Sequence, residues 1–391
     1  MFAGKTVFVT GGSGFIGGRL IEVLVRQGGA RVRTLVRGTT SAGGGASRAA
    51  AAGAEIVFGS LLDADLLERE LQGADIVFHC AYGMHGSLAA QREVTVEGTR
   101  RLARAAGLAG VGQFVHLGTV ASYGGNTPDL TPEDFDDPKL WPWPYAHDKR
   151  DGERALADEA ATSGMPFTVL RLGAVYGPYG GSYTVLPLAT LAERRIALVD
   201  DGVGIANATY VDDVVQAMLR AALHPATGQR YMVRGPDQPT WREFYESYER
   251  MLGIGGPGNG GLVSLTRREM KRAKRAEFTT SAKRLLPETL AALKASSGFK
   301  NTAAGLGLRT LYQRVGGSRN PAAAPAAQVQ PVAERPIQLI APIMIDYFAN
   351  RSRFSIAKAQ AELGYAPAYD LASGMALTEQ WVRWANLIRE T

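Results

Sequence analysis

The 391-residue chain is poor in the residues that build disulfide and metal frameworks. It has one cysteine, Cys80, so no disulfide can close within the chain, and a reducing cytoplasm is the expected setting. Its five histidines are scattered, none at ligand spacing from another histidine or from Cys80, so no metal site is expected. Long apolar runs are missing too, and none approaches the roughly 18 residues of a membrane span. The nearest, Ile337 to Phe348, is broken by Gln338, Pro342 and Asp346 and reads as a short buried helix. Met1 to Lys5 leads straight into an apolar strand, with no room for the parts of a signal peptide. No internal repeat of about 20–50 residues is present, which sets repeat architectures aside.

What is there suffices for one large core, or one core with a smaller attached lobe: 46% of residues are apolar. The net charge of +6 is uneven. Residues 261–335 hold 14 Lys/Arg against 4 Asp/Glu, so the remainder is slightly acidic. Within this stretch lies a basic run of Arg267, Arg268, Lys271, Arg272, Lys274 and Arg275, and an Ala/Pro-rich close, Asn320 to Pro336, that reads as a mobile linker. Two readings of the basic stretch Arg267 to Arg284 stand side by side: the solvated face of an inserted helix, or a contact with nucleic acid or an anionic membrane. Interleaved aromatics for base stacking are lacking, with Phe278 nearly alone.

The first half alternates short apolar runs with longer helical patterns. Strands are predicted at Thr6–Thr10, Val32–Val36, Glu55–Phe58, Ile76–His79, Phe114–Leu117 and Thr168–Leu172, each short and rich in Val, Ile, Leu or Phe, as strands buried on both faces are. Helices are predicted over Gly14–Gln27 and Val96–Ala106, and an amphipathic one near Ala372–Ile388. Such alternation predicts an α/β fold with a doubly wound parallel sheet.

The first strand runs into Thr10-Gly11-Gly12-Ser13-Gly14-Phe15-Ile16-Gly17 and then a helix. Gly11 suits a tight turn, Gly14 a close approach of backbone to a pyrophosphate, and Gly17 close packing of helix on strand. Free N–H groups of Phe15, Ile16 and the rest of the first turn then face the anion. Strand before and helix after make this a Rossmann-type dinucleotide fingerprint. At the end of the second strand stands Val36-Arg37, without the carboxylate that binds a free ribose. An arginine there can pair with a 2′-phosphate, which favours NADP, with NAD open; a solvated surface role for Arg37 is the plain alternative.

Tyr145 and Lys149 stand four residues apart, so on a helix they share a face. A phenol of ordinary pKa near 10 shuttles protons poorly at neutral pH, and an adjacent ammonium stabilises its phenolate. Thr119 closes a predicted strand 26 residues earlier, at the edge where open α/β sheets bind ligands. Its hydroxyl can hold a substrate oxygen while Tyr145 exchanges the proton. His79 and His116 read as packed core histidines, His147 as pointing away from the Tyr145 face, and Cys80 as a small buried hydrophobe. Trp141, Pro142, Trp143 and Pro144 read as a stiff loop that walls the pocket or starts the helix.

The chain resembles an extended short-chain dehydrogenase/reductase, within the NAD-dependent epimerase/dehydratase superfamily. The resemblance rests on Thr10 to Gly17; Phe78-His79-Cys80-Ala81; Val94 to Ala106 with Gly98-Thr99; Thr119 with Ser122-Tyr123-Gly124; Tyr145 with Lys149; Arg171 to Pro178; Tyr210-Val211-Asp212-Asp213; and Glu362 to Tyr365. It implies that Thr119, Tyr145 and Lys149 are catalytic, with Lys149 also on the nicotinamide ribose, and that Ser60, Leu61 and Ala81 border the cofactor. It further implies a homodimer formed through the helix bearing Tyr145. Departures are informative. Thr119 replaces the usual Ser and keeps the hydroxyl, Ser60 replaces an Asp near the adenine, and the helix Asn falls on Thr95. Ala174 and Ala206 stand where relatives acting on sugar nucleotides carry Asn and Arg against the diphosphate.

The leading expectation is therefore hydride transfer between NAD(P) and a small-molecule carbonyl/alcohol pair other than a sugar nucleotide, Asn207 also resembling the reductase and hydroxysteroid-dehydrogenase-like branches. A nucleotide-sugar epimerase or dehydratase with retained NAD is the alternative, and a non-catalytic Rossmann-fold binding protein a third. The expected organisation is a cofactor domain of 1–172 plus 207–234 and a smaller substrate lobe of 173–206 plus 235–391, with a basic insertion at about 255–336.

Overall fold

The computed structural model describes residues 1–38, 45–124, 141–225, 227–256, 258–277 and 331–388. Alternating apolar residues build the frame. Strands β1 (Thr6–Thr10), β2 (Arg31–Val36), β3 (Glu55–Phe58), β4 (Ile76–His79), β5 (Gln113–Thr119) and β6 (Phe167–Leu172) are joined by a later strand, β10 (Thr227–Val233), in one sheet. The order is β10-β6-β5-β4-β1-β2-β3, all parallel. β4, β5 and β6 are buried along their whole length, as strands covered on both faces must be. The period of two shows in β1, where Val7 and Val9 enter one core and Phe8 the other.

Helices cover both faces. α1 (Phe15–Arg26) and α7 (Val211–Leu223) pack over the first core through Leu20, Leu24, Val214 and Met218. On the other face α3 (Ala64–Glu70), α4 (Leu88–Leu108) and α5 (Pro144–Ser163) contribute Leu67, Leu102 and Leu156. The sheet changes direction at β1, with β4 on one side and β2 on the other, so the ligand crevice lies above the carboxyl ends of these strands. α2 (Gly45–Ala51) follows β2; residues 39–44 of the Gly-rich connection lie outside the described residues.

A smaller unit holds β7 (Ala174–Tyr176) paired with β9 (Ala208–Tyr210), and β8 (Arg195–Val199) flanked by β11 (Leu262–Leu265) and β12 (Ile337–Gln338). α6 (Leu186–Glu193) and α8 (Trp241–Met251) pack there around Leu188, Leu198, Trp241, Phe244 and Tyr248. The start of α8 is closed by a reciprocal cap, Thr240 with Glu243. A final helix spans Leu371–Trp384.

Three expectations change. Ile337 to Phe348 is not one buried helix: it divides into β12, a 3-10 turn at Pro342–Met344 and a single α turn at Ile345–Phe348. Pro342 has no N–H to continue a helix, and of the two turns only Ile345 is buried. The linker reading ends before Pro331, since Arg335 is buried and donates to the Leu191 carbonyl at 2.7 Å while Pro336 accepts from the Arg195 N–H; residues 320–330 lie outside the described residues. In the basic run Arg267 is not simply solvated, because its Nε donates to Asp200 at 2.9 Å. Residues 267–277 are helical, and Phe278 to Arg284 lie outside the described residues. Among the described residues, no helix is long and apolar enough to cross a membrane.

Candidate active site

The glycine-rich turn occupies the end of β1. Gly11 has φ +71°, and a side chain there would meet the Ala81 N at 2.8 Å and the Cys80 carbonyl carbon at 2.9 Å. The turn and the end of β4 are thus pressed together, which also fixes Ala81 at the crevice. A Cβ on Gly17 would lie 2.8 Å from the Gly11 carbonyl carbon, so the helix can seat on the turn only with glycine at this position. Gly14 caps α1 without any side-chain acceptor, and Ser13 and Gly14 are exposed. The amides of the first turn, at Phe15, Ile16 and Gly17, therefore have no side-chain cap to satisfy them, and the helix N-terminus suits an anion. This cradle fits a dinucleotide pyrophosphate.

Around it, Arg37 is exposed just past β2. Ser60 follows β3, and its hydroxyl accepts from the Leu62 N–H at 3.1 Å. Leu61 is buried under α4, where a side chain on Gly98 would touch its Cβ at 3.0 Å. Thr95 accepts from the Gly83 N–H at 2.9 Å and donates to the Gln91 carbonyl at 2.8 Å, and so ties the loop after β4 to α4.

Thr119, Tyr145 and Lys149 meet at one edge. Thr119 is the last residue of β5, and its hydroxyl accepts from the Ala121 N–H at 3.2 Å, shaping the 3-10 turn Val120–Tyr123. Pro144, as the first residue of α5, starts the helix without leaving an unbonded N–H, and puts Tyr145 in the first turn and Lys149 one turn on. The Lys149 ammonium is buried, donates to the Leu117 carbonyl at 2.6 Å and lies 5.8 Å from the centre of the Tyr82 ring. Burial lowers its pKa to about 8, against the opposing charge of Glu153.

Tyr145 departs from the expectation in one respect. Burial raises its pKa, with Tyr82 adding to the rise and a hydrogen bond from Thr119 opposing it; Lys149 is not among the causes. The ammonium is engaged with Leu117, and the rings around the phenol withhold solvent from a phenolate. The residues of this chain thus keep Tyr145 protonated, in the form that donates a proton.

Other residues fall into supporting places. His79 is buried between the hydroxyls of Thr10 (2.7 Å) and Thr99 (2.8 Å), and burial, helped by Lys149, lowers it to about 3. His116 is buried with neither ring nitrogen bonded. His147 turns from the site toward the Trp141 carbonyl at 3.0 Å. Burial pushes the Cys80 thiol up to about 12, so it stays protonated. Ala174 and Ala206 are both buried in the core of the smaller unit, and Asn207, at φ +45°, donates to the Ser352 carbonyl at 3.2 Å.

Sequence reasoning missed a group beneath the site. Glu153 and Arg171 are fully buried, with Arg171 Nη2 2.6 Å from the Glu153 carboxylate, and Arg171 also binds the Tyr123 hydroxyl. The pair joins α5, which carries Tyr145 and Lys149, to β6 and to the 3-10 turn after Thr119. A Cβ on Gly118 would come within 2.5 Å of Glu153, so glycine there makes room for the carboxylate. The signal was present: Tyr145, Lys149 and Glu153 recur at spacing four on one helix face. For the rings of Tyr82, Tyr183 and Tyr347 no comparable periodicity exists.

Known proteins resemble this chain in sequence and in fold. The chain is 30% identical over 262 residues to UDP-glucose 4-epimerase of Mycolicibacterium smegmatis, covering 63% of this chain and 82% of that protein. It is 28% identical over 230 residues to 4-hydroxy-2-methyl-3-oxo-4-farnesyl-3,4-dihydroquinoline-1-oxide ketoreductase of Stigmatella aurantiaca, covering 58% and 67%. Among solved structures, dTDP-glucose 4,6-dehydratase from Streptomyces venezuelae with NAD and TYD bound superposes with a TM-score of 0.67 at 21% identity, covering 97% of each chain. The profile of the NAD dependent epimerase/dehydratase family matches residues 7–233, and with a seven-stranded Rossmann sheet beneath that match, the chain belongs to this family.

Proposed function

We propose that the protein is an NAD(P)-dependent oxidoreductase that interconverts a carbonyl and an alcohol on a substrate other than a sugar nucleotide. One observation carries the chemistry: a threonine hydroxyl, a protonated phenol and a buried ammonium converge at the carboxyl edge of the sheet, beside a glycine turn shaped for a dinucleotide. When bound, the nicotinamide supplies or accepts the hydride. Thr119 orients the substrate oxygen and Tyr145 gives it a proton, or takes one in the reverse direction. Lys149 holds positive charge beside that oxygen and offers its ammonium to the cofactor ribose. Gly11, Gly14 and Gly17, with the amides of Phe15 and Ile16, receive the pyrophosphate; Ser60, Leu61 and Ala81 border the rest of the dinucleotide. Arg37, at the position of the usual carboxylate, supports a preference for NADP over NAD.

Two features support a substrate other than a sugar nucleotide: the buried Ala174 and Ala206 offer a diphosphate no side-chain donor, and one relative is named a ketoreductase. The second reading, epimerisation or dehydration of a sugar nucleotide with retained NAD, is supported by the names of other relatives. Purified protein is incubated with NADPH or NADH and, separately, with ketones and with UDP-glucose or dTDP-glucose. Stoichiometric cofactor oxidation with a ketone is expected. Conversion of a sugar nucleotide by tightly held NAD, without net oxidation, would refute the reading.

A further inference from the structure

Aromatic rings from four separate stretches of chain surround the Tyr145 phenol. Tyr82 follows β4 and meets the Tyr145 ring edge-on at 5.5 Å; Trp143 precedes α5 and lies 4.8 Å from it, tilted by 37°. Tyr347, from the turn Ile345–Phe348, meets Trp143 at 5.9 Å and Trp141 at 6.3 Å. Tyr183, in the turn Gly181–Val185, brings its hydroxyl within 3.4 Å of that of Tyr347. All five rings that flank or form the site, Tyr82, Trp143, Tyr145, Tyr183 and Tyr347, retain exposed surface, so they line a face that ligand can reach.

This wall is electrically quiet. The groups that shift the hydroxyls of Tyr145, Tyr183 and Tyr347 are one another, Tyr82, Tyr245 and Thr119; no carboxylate or cation among the described residues contributes. Burial pushes Tyr347 up to about 12 and Tyr183 well above its usual value, which marks surroundings that disfavour any anion. Away from Lys149, which sits at the Tyr82 end of the wall, a ligand carrying charge loses hydration here without gaining a charged partner among the described residues. A neutral ring loses only apolar hydration, and finds ring faces and edges against which it can stack or meet edge-to-face.

Building on the carbonyl-reducing reading above, we infer that the substrate is an uncharged ketone whose carbonyl is conjugated to a planar ring system, held by Trp143 and Tyr347 while Thr119 and Tyr145 take its oxygen. In the reducing direction the carbonyl carbon gains a hydride from NAD(P)H, the C=O π bond breaks, and the oxygen takes the Tyr145 proton. The products are a secondary alcohol and oxidised cofactor, and the phenol regains its proton from water.

The test uses the full chain and a matched pair of ketones, 2-acetylnaphthalene and its fully saturated decalin analogue. Conjugation makes the aromatic ketone the poorer electrophile, so a preference for it must come from the protein. The aromatic ketone is expected to show at least tenfold higher kcat/KM, and to bind the Tyr145→Phe variant at least tenfold more tightly by calorimetry. Trp143→Leu and Tyr347→Leu should each bring the kcat/KM ratio below threefold, whereas Tyr347→Phe, which keeps the ring, should preserve it. Equal binding of the two ketones, a preference for the saturated one, or a ratio unmoved by both leucine variants would overturn the inference and leave the carbonyl-reducing reading standing. Turnover of sugar nucleotides with neither ketone reduced would overturn both.

Discussion

Replacing Glu153 with glutamine probes the charge pair beneath the site. Glu153 and Arg171 are wholly buried, and the guanidinium makes contacts of 2.6, 3.2 and 3.4 Å with that carboxylate in addition to its bond to Tyr123. Glutamine keeps the shape and one acceptor but removes the Glu153 charge from beside the Arg171 guanidinium and from Arg230, whose Nε lies 3.9 Å away. Losing one partner of a buried pair costs about 3–5 kcal/mol, and the retained acceptor puts this variant near the lower figure. With a urea m-value of about 3 kcal/mol/M, the unfolding midpoint should fall by about 1 M. Removing both charges, as Glu153→Leu with Arg171→Met, should recover part of that loss, since the Arg171 bond to Tyr123 goes as well. Kinetics supply a second readout. Glu153 opposes the burial that lowers Lys149 to about 8, so without its charge Lys149 gives up its proton at lower pH. The alkaline fall in kcat should then begin at lower pH than in the parent enzyme. A glutamine variant within about 0.5 kcal/mol of the parent, with its alkaline limb unmoved, would refute the reasoning on both counts.

Three other outcomes follow from the geometry. Tyr145→Phe removes the proton donor and should lower kcat by about 100-fold or more, with dinucleotide affinity by calorimetry within threefold of the parent; undiminished turnover would exclude Tyr145. Gly17→Ala places a methyl 2.8 Å from the Gly11 carbonyl carbon, so cofactor affinity should fall at least tenfold and stability by about 1–3 kcal/mol, and an unchanged dissociation constant would show that the turn yields. Burial holds His79 at about 3 and His116 well below its usual value, so both stay neutral in the fold while the unfolded chain binds protons near pH 6.5. Their contribution is whole above pH 6.5 and is lost as pH falls toward 3, by up to about 1.4 kcal/mol per unit for each ring. His116→Phe, at a position whose nitrogens have no bonds to lose, should flatten that acid slope by one proton's share in urea titrations at stepped pH; an unaltered slope would refute it.

Much of the sheet was legible because its strands are buried on both faces and therefore read as unbroken apolar runs. Six strands read as such runs, and the apolar part of β5 runs on through Gly118, which makes room for Glu153, to the Thr119 expected at its end. β10 lies within the 207–234 stretch assigned to the cofactor domain but does not read as an apolar run, since Thr227 to Arg230 are polar or glycine and partly exposed at the sheet edge. At the site, spacing along one helix disclosed Tyr145 and Lys149, and position at a strand end disclosed Thr119. The Tyr145 pKa was not legible in the same way. A helix wheel shows an ammonium near the phenol but not that Leu117 engages it, nor that rings from distant segments dry the hydroxyl. Tyr347 lies more than 200 residues from Tyr145 in sequence, and nothing local to its turn announces that it reaches the site.

β8 has a neighbour on each side, β11 before the 278–330 stretch and β12 after it. Two strand spacings, roughly 10 Å, separate β11 from β12 across the sheet, and since both run parallel to β8 the chain leaves beside Val199 and rejoins beside Arg195. Both moorings are backbone ladders on the same central strand, and Arg335 adds a third tether at the return. The turn bearing Tyr347 follows directly on the return side, anchored by β12 and Arg335. The aromatic recess thus takes the position of its Tyr347 side from a ladder and a tether that both lie outside residues 278–330.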